Sequence, residues 1–138
     1  MGAREPIKVL IADDHELTCL GLQILISKQP HFLVVGIGVD GQQAIDLAKS
    51  RQPDVIILDI RMPVLDGHSA AIQIKKFDPY VRIIAYSSLP NLPMEKNNQS
   101  TAFDLYCSKD ISSQDLITAI DDLGKLAQSD KDQFRRVG

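Results

Sequence analysis

The stretch Asp54-Val55-Ile56-Ile57-Leu58-Asp59-Ile60-Arg61-Met62-Pro63-Val64-Leu65-Asp66-Gly67 constrains the fold more than any other part of the chain. A short run of apolar, mostly β-branched residues held between two acids reads as a strand buried on both faces, and such strands lie in the middle of parallel sheets. Asp59 then stands at the carboxyl end of a central strand. Met62-Pro63 stops that strand from continuing, and Asp66-Gly67 marks a structural turn and helix start. Ligands of open parallel sheets bind just outside the carboxyl ends of the strands, so an acid placed there is a functional candidate. Asp54 is the internal control: at about 3.3 Å per residue it sits roughly 16 Å away at the opposite edge, too far to share the same chemistry.

The 138 residues suit one domain, with 44% hydrophobic and 24% charged residues as in an ordinary globule. Cys19 and Cys107 lie in apolar stretches without metal-ligand spacing and are expected to be reduced core residues, which points to the cytoplasm. No apolar run is long enough to span a bilayer, and Met1 to Pro6 is too short and polar for a signal peptide. A net charge of −3 offers no electrostatic footprint for nucleic acid, so direct DNA binding by this chain is not expected.

Ile7 to Ala12 reads as a first buried strand that runs into Asp13-Asp14-His15-Glu16. The next helix carries an apolar stripe at Leu17, Leu20, Ile24 and Leu25 and closes before Pro30. Phe32 to Val39 is a second strand, Asp40-Gly41 a turn, and Gln42 to Arg51 a helix burying Ala44, Ile45, Leu47 and Ala48. After the central strand, Asp66 is expected to cap a third helix with Ala70, Ile72 and Ile74 or their neighbours inside. Val81 to Tyr86 is a fourth strand ending in Ser87-Ser88, and Phe103 to Cys107 a fifth leading to Lys109-Asp110. Between them, Leu89 to Thr101 calls for a helix by alternation, but Pro90, Pro93, Asn97 and Asn98 predict a short or frayed one. The last helix starts at Ser112-Ser113, with a stripe at Leu116, Ala119, Ile120, Leu123 and Leu126. Residues 1–127 form the expected domain, and 128–138 a polar tail or the start of a linker.

Strands alternating with helices, joined by right-handed crossovers, predict a doubly wound α/β fold with a five-stranded parallel sheet in the order 2-1-3-4-5. That order makes the first and third strands neighbours, so Asp13, Asp14 and Asp59 converge at one edge. Two unit charges about 4 Å apart repel by roughly 4 kcal/mol at an effective dielectric near 20. Either some of the acids protonate or a cation sits among them. Oxygen ligands unaccompanied by His or Cys suit a hard dication, Mg²⁺ above all. Lys109 brings an ammonium to the same edge and Ser87 a hydroxyl. A carboxylate nucleophile, a dication, an ammonium and a hydroxyl together suit phosphoryl transfer, with Asp59 as the nucleophile.

Asp13-Asp14, Asp59, Met62-Pro63, Asp66-Gly67, Ser87, Tyr106 and Lys109 occur in the order and spacing of the receiver domain of two-component response regulators, a flavodoxin-like fold. The chain resembles that family over about residues 6 to 127, and the text from Asp13 through Gly41 with Lys109-Asp110 looks most like its NarL/FixJ (LuxR-type) branch. The resemblance implies phosphorylation of Asp59 by a sensor histidine kinase or a small phosphodonor, catalysed by the receiver itself. It implies that Asp14 and Asp59 ligate Mg²⁺ directly, Asp13 through water, and that the main-chain carbonyl of Arg61 adds an oxygen. Ser87 and Lys109 would hold the phosphoryl oxygens. Tyr106 would turn inward as Ser87 moves, altering the face formed by the fourth helix, fifth strand and last helix, through which a homodimer could form. The branch usually carries a C-terminal DNA-binding domain, so the resemblance admits an effector beyond this chain. Ala102-Phe103-Asp104-Leu105 replaces the small residues usual before the aromatic, so the output face is expected to differ from the common pattern.

Other readings compete with this one. An aspartate-nucleophile phosphohydrolase usually needs a second acid two residues after the nucleophile, where this chain has Arg61. A flavodoxin-like cofactor carrier would find its phosphate repelled by Asp13-Asp14. A receiver kept only for docking would not need the phosphorylation residues. Asp13 or Asp14 could cap the first helix, and His15 reads as a surface or capping residue in preference to a ligand. His31 and His68 read as exposed. Leu89 is expected to hinder the hydrolytic water and prolong the phosphorylated state.

Overall fold

The computed structural model describes residues 5–88 and 102–137, with side chains as far as residue 135. Five strands form the sheet: β1 (Ile7–Ala12), β2 (Phe32–Gly38), β3 (Val55–Asp59), β4 (Arg82–Ser87) and β5 (Leu105–Ser108). They pair in parallel in the expected order β2-β1-β3-β4-β5. Every residue of β3 is buried, as its unbroken apolar run requires of a central strand. Alternate side chains leave opposite faces of each strand and build two cores. Leu10, Ile56, Leu58 and Ile83 pack with Ala44, Ile45 and Ala48 of α2 (Gly41–Arg51) and with Ala70, Ala71 and Ile74 of α3 (Gly67–Phe77). Val9, Ile11, Ile57 and Ile84 pack with Cys19, Leu22 and Ile26 of α1 (Glu16–Ser27) and with Leu116 and Ile120 of α4 (Ser113–Val137).

Helix α1 has a different buried face from the expected one. Cys19, Leu22 and Ile26 face the sheet, while Leu17 is 82% exposed and Leu20 and Ile24 are half exposed. The helix is apolar on more than one side, so periodicity alone admits two stripes, and packing on the sheet selects between them. The Cys19 thiol donates to the Asp13 carbonyl at 3.2 Å, on the inward side of the helix. Neither acid caps α1: His15 occupies the N-cap position and makes no side-chain cap bond. Smaller shifts follow the same logic. Ala71 is buried in place of Ile72 on α3, Ala127 in place of Leu126 on α4, and β5 begins at Leu105 with Phe103 buried just before it.

The polar run from Ser129, read as a tail, is helical as far as Val137. Its charges are ties to the amino edge of the sheet. Lys131 Nζ lies 3.3 Å from Asp54 Oδ1 and 3.2 Å from the Pro53 carbonyl, Asp130 pairs with Arg82, and the Phe134 ring stands 5.6 Å from that of Tyr80. Composition reports the polarity of such a segment but not its partners. The helix expected over 89–101, with Leu89 at its start, lies outside the described residues.

Candidate functional site

The carboxyl ends of β1, β3, β4 and β5 meet at one edge, and the strand register decides what stands there. Ala12 is beside Leu58, so the residues that follow β1 lie next to Asp59 at the end of β3. Asp59 in turn pairs with Tyr86, and Ser87 with Ser108. The Lys109 amide donates to the Ser87 carbonyl at 2.8 Å, which fixes the start of the lysine side chain beside the cluster. Lys109 Nζ reaches 2.8 Å from Asp13 Oδ2 and 3.6 Å from Asp59 Oδ2, and lies over the Tyr86 ring. Asp13 Oδ2 is buried, and the Lys109 ammonium is the cation that pairs with it. Asp13, Asp59 and Ser87 are buried; Asp14 is more open. Ser88 is exposed, so burial distinguishes the two adjacent hydroxyls.

Burial raises the Asp59 pKa to about 6, helped by the charge of Asp13 and opposed by Lys109 and by a hydrogen bond from the Arg61 main chain. Burial alone would lower the Lys109 pKa, but contact with Asp13 and the charge of Asp59 outweigh it and raise the pKa above the usual lysine value. The ammonium is therefore a fixed positive charge. Three carboxylates against one ammonium leave two negative charges, the complement of one dication.

The turn after β3 positions this edge. Asp66 caps α3 by accepting from the Ser69 amide at 2.8 Å, and the Gly67 amide donates to the Ile60 carbonyl at 2.8 Å. A Cβ on Gly67 would come within 2.0 Å of the Asp59 carbonyl oxygen, so the glycine serves close approach of α3 to the end of β3. Met62 is buried beneath the loop and Pro63 is exposed. Tyr106 is half-buried on β5, its ring edge-on to Phe103 at 5.4 Å.

His15 stands at the N-cap position of α1 with its side chain 65% exposed, as a surface or capping residue would, but its ring also reaches the acids, which sequence reasoning missed. Its amide donates to Asp13 Oδ1 at 2.9 Å, and this folds the ring back over the acids. His15 Nδ1 lies 3.0 Å from Asp13 Oδ1, 3.3 Å from Asp14 Oδ1 and 3.9 Å from Asp59 Oδ2. The cluster is therefore not one of oxygen alone. One atom from each of Asp13, Asp14, His15 and Asp59 falls within 4.8 Å of the others, a group compatible with a bound dication. The available signal was position: a histidine directly after an acid pair at a helix N-cap is within reach of both. Gly41 was also underread, since a Cβ there would meet the Leu65 carbonyl oxygen at 2.1 Å, locking α2 against the loop that follows β3.

Comparison with known proteins agrees with this geometry. The response regulator receiver domain family matches residues 9–121. The chain belongs to that family. It is 35% identical over 115 residues to the response regulator protein VraR of Staphylococcus saprophyticus, covering 83% of this chain and 55% of VraR. The receiver thus spans about half the length of the curated relatives it matches. A NarL signal receiver domain from Mycobacterium tuberculosis superposes with a TM-score of 0.78 at 28% identity, covering 88% of this chain and 98% of that one. A chain of the CheX–CheY–BeF₃–Mg²⁺ complex from Borrelia burgdorferi does so with a TM-score of 0.70 at 26% identity, covering 83% and 86%. The receiver is of the NarL/FixJ-like kind, a component of two-component signalling. No helix among the described residues is long and apolar enough to cross a membrane.

Proposed function

We propose that the receiver accepts a phosphoryl group on Asp59 from a sensor histidine kinase or a small phosphodonor, with a divalent cation bound. The observation that carries the proposal is the convergence of Lys109 Nζ on both Asp13 and Asp59, beside a third acid, at the carboxyl edge of the sheet. An Asp59 oxygen attacks phosphorus as the bond to the donor's nitrogen or oxygen breaks, and the electron pair leaves with the donor. Lys109 and Ser87 are placed to hold the phosphoryl oxygens, where positioning and charge matter more than proton transfer. Asp14 and Asp59 would hold the cation directly, Asp13 through water, with the Arg61 carbonyl as a further oxygen. A bound Mg²⁺ would neutralise charge on the transferring group. The complex from Borrelia burgdorferi, formed with beryllofluoride and magnesium, supports this reading by likeness of fold and sequence.

Only phosphorylation and slow self-dephosphorylation follow from this site, without turnover of an external ester. Asp59 lacks a second acid two residues on, which speaks against a phosphohydrolase, and the intact acid–lysine cluster speaks against a receiver kept for docking alone. Readout would pass through Ser87 and Tyr106 to the face that includes β5 and α4, to a homodimer or to an effector such as a DNA-binding domain. Buried, free Cys19 and Cys107 favour a cytoplasmic setting. Incubation with Mg²⁺ and acetyl phosphate should add the mass of one phosphoryl group, and Asp59→Asn should abolish the gain. A variant that still gains the mass would refute the assignment of Asp59.

A further inference from the structure

His15 lies in the cluster yet has no part in the phosphoryl chemistry described above. A six-coordinate dication about 2.1 Å from each donor separates adjacent donors by about 3.0 Å and opposite ones by about 4.2 Å. The distances from His15 Nδ1 to the two proposed direct ligands, 3.3 Å to Asp14 Oδ1 and 3.9 Å to Asp59 Oδ2, fall within that interval. The ring approaches Asp13 through Oδ1, while Lys109 takes Oδ2, so imidazole and ammonium do not compete for one oxygen. In this structure Nδ1 donates to Asp13 Oδ1; the His15 side chain is 65% exposed, so when a cation binds, Nδ1 can give up that proton and Nε2 can carry the ring proton in water. Nor is the ring needed by the helix behind it, which draws no side-chain cap bond from His15.

We propose that His15 Nδ1 is a direct ligand of the divalent cation, giving the site a mixed nitrogen–oxygen set that binds first-row transition-metal dications in preference to Mg²⁺. Carboxylate and water suit magnesium, whereas imidazole adds little for magnesium and strengthens binding along the series from manganese to nickel. The inference rests on the reading that Asp14 and Asp59 hold a dication, and it assigns that dication a further ligand and a chemical class.

The test uses the whole chain without a phosphodonor. Mn²⁺ is added, its binding is followed by water-proton relaxation, and electron spin-echo modulation is recorded on the bound ion. Wild type should show coupling to a directly bound ¹⁴N, and His15→Ala should bind Mn²⁺ without it. Competition titrations should show His15→Ala losing affinity for Co²⁺ and Ni²⁺ on the order of tenfold or more. Its affinity for Mg²⁺ should stay within about twofold, because an oxygen site is left intact. Mn²⁺ bound to wild type without nitrogen coupling, or equal losses for Mg²⁺ and Ni²⁺, would overturn the role of His15 and leave the phosphoacceptor reading standing. Failure of wild type to bind any of these dications would remove both.

Discussion

The two ends of β3 carry the same residue type in nearly the same burial, and they have opposite characters. Asp54 is 3% exposed at the amino edge and Asp59 5% exposed at the carboxyl edge. Each has a lysine from late in the chain nearby, Lys131 and Lys109 respectively. Asp54 has a full set of partners: the Lys8 amide at 2.9 Å, Gln128 at 3.4 Å and Lys131 at 3.3 Å, with no second acid close by in that set. Asp59 shares one ammonium with Asp13 and stands beside Asp14 as well, and its pKa is raised to about 6. Burial is common to both acids, so it cannot be what makes one reactive. The balance of charge around each decides: Asp54 is satisfied by the protein, whereas Asp59 is satisfied only when something positive is added.

The largest effect that this contrast implies is at the satisfied end. Asp54→Ala removes the acceptor for a part-buried amide and leaves Lys131 without its acid, and breaking such a pair from one side costs on the order of 3 kcal/mol. Urea unfolding should show that loss, while phosphoryl uptake from acetyl phosphate stays at the wild-type level. Changing Lys131 to Met in the Asp54→Ala background should return part of the stability, because the unpaired ammonium is then gone. A folded Asp54→Ala protein that no longer accepted phosphate would break the comparison, since it would tie the two edges together chemically.

The reactive end should respond with the opposite sign. A carboxyl whose pKa is raised from 3.8 to about 6 on folding holds its proton more tightly in the native state. Between those two values the native protein binds more protons than the unfolded chain, so stability falls as pH rises through the window and the full penalty applies above it. With about 1.4 kcal/mol for each pH unit, the penalty is at most about 3 kcal/mol. In EDTA at pH 7.5, Asp59→Asn should therefore be more stable than wild type by about 1–3 kcal/mol, and the gain should shrink toward zero near pH 4. A substitution that abolishes the proposed reaction while stabilising the fold is the signature of an acid kept for chemistry. A loss of stability at pH 7.5 would place Asp59 with Asp54 as a structural group.

Much of this contrast was legible in the residues because its skeleton is local. A mostly apolar run followed by an acid, a serine or a lysine identifies both the strand and what its end delivers, and Asp13, Asp59, Ser87 and Lys109 were each picked out that way. The sheet order followed from alternation and crossover hand. What escaped depends on geometry that no short window carries. The buried face of α1 is set by the packing of Cys19, Leu22 and Ile26 on the sheet, and the ring of His15 is aimed by an extended N-cap backbone with φ −97° and ψ 111°. The close contact at Gly41 joins the start of α2 to the loop that follows β3, farther along the chain. The second half of α4 was misread for a similar reason, because Lys131 finds its acid 77 positions earlier.

That second half of α4 gives the smallest effect and the finest test of the amino edge. Phe134 is 60% exposed, and its ring meets Tyr80 with the planes tilted by 43°. A tilted aromatic pair at the surface is worth about 0.5–1 kcal/mol, so Phe134→Ala should lower stability by about that much and leave the carboxyl edge untouched. Hydrogen exchange separates this from a residue on a free tail. Amides from Lys131 to Arg135 should exchange faster in Phe134→Ala than in wild type, because the helix turn beyond the Lys131–Asp54 pair loses an anchor. Those before residue 127 should keep their protection, being held by Leu116 and Ile120 in the core. Unprotected amides over 129–135 in wild type would show that the polar segment is not held against the sheet in solution. The amino edge would then owe its stability to Asp54 and its nearest amide alone.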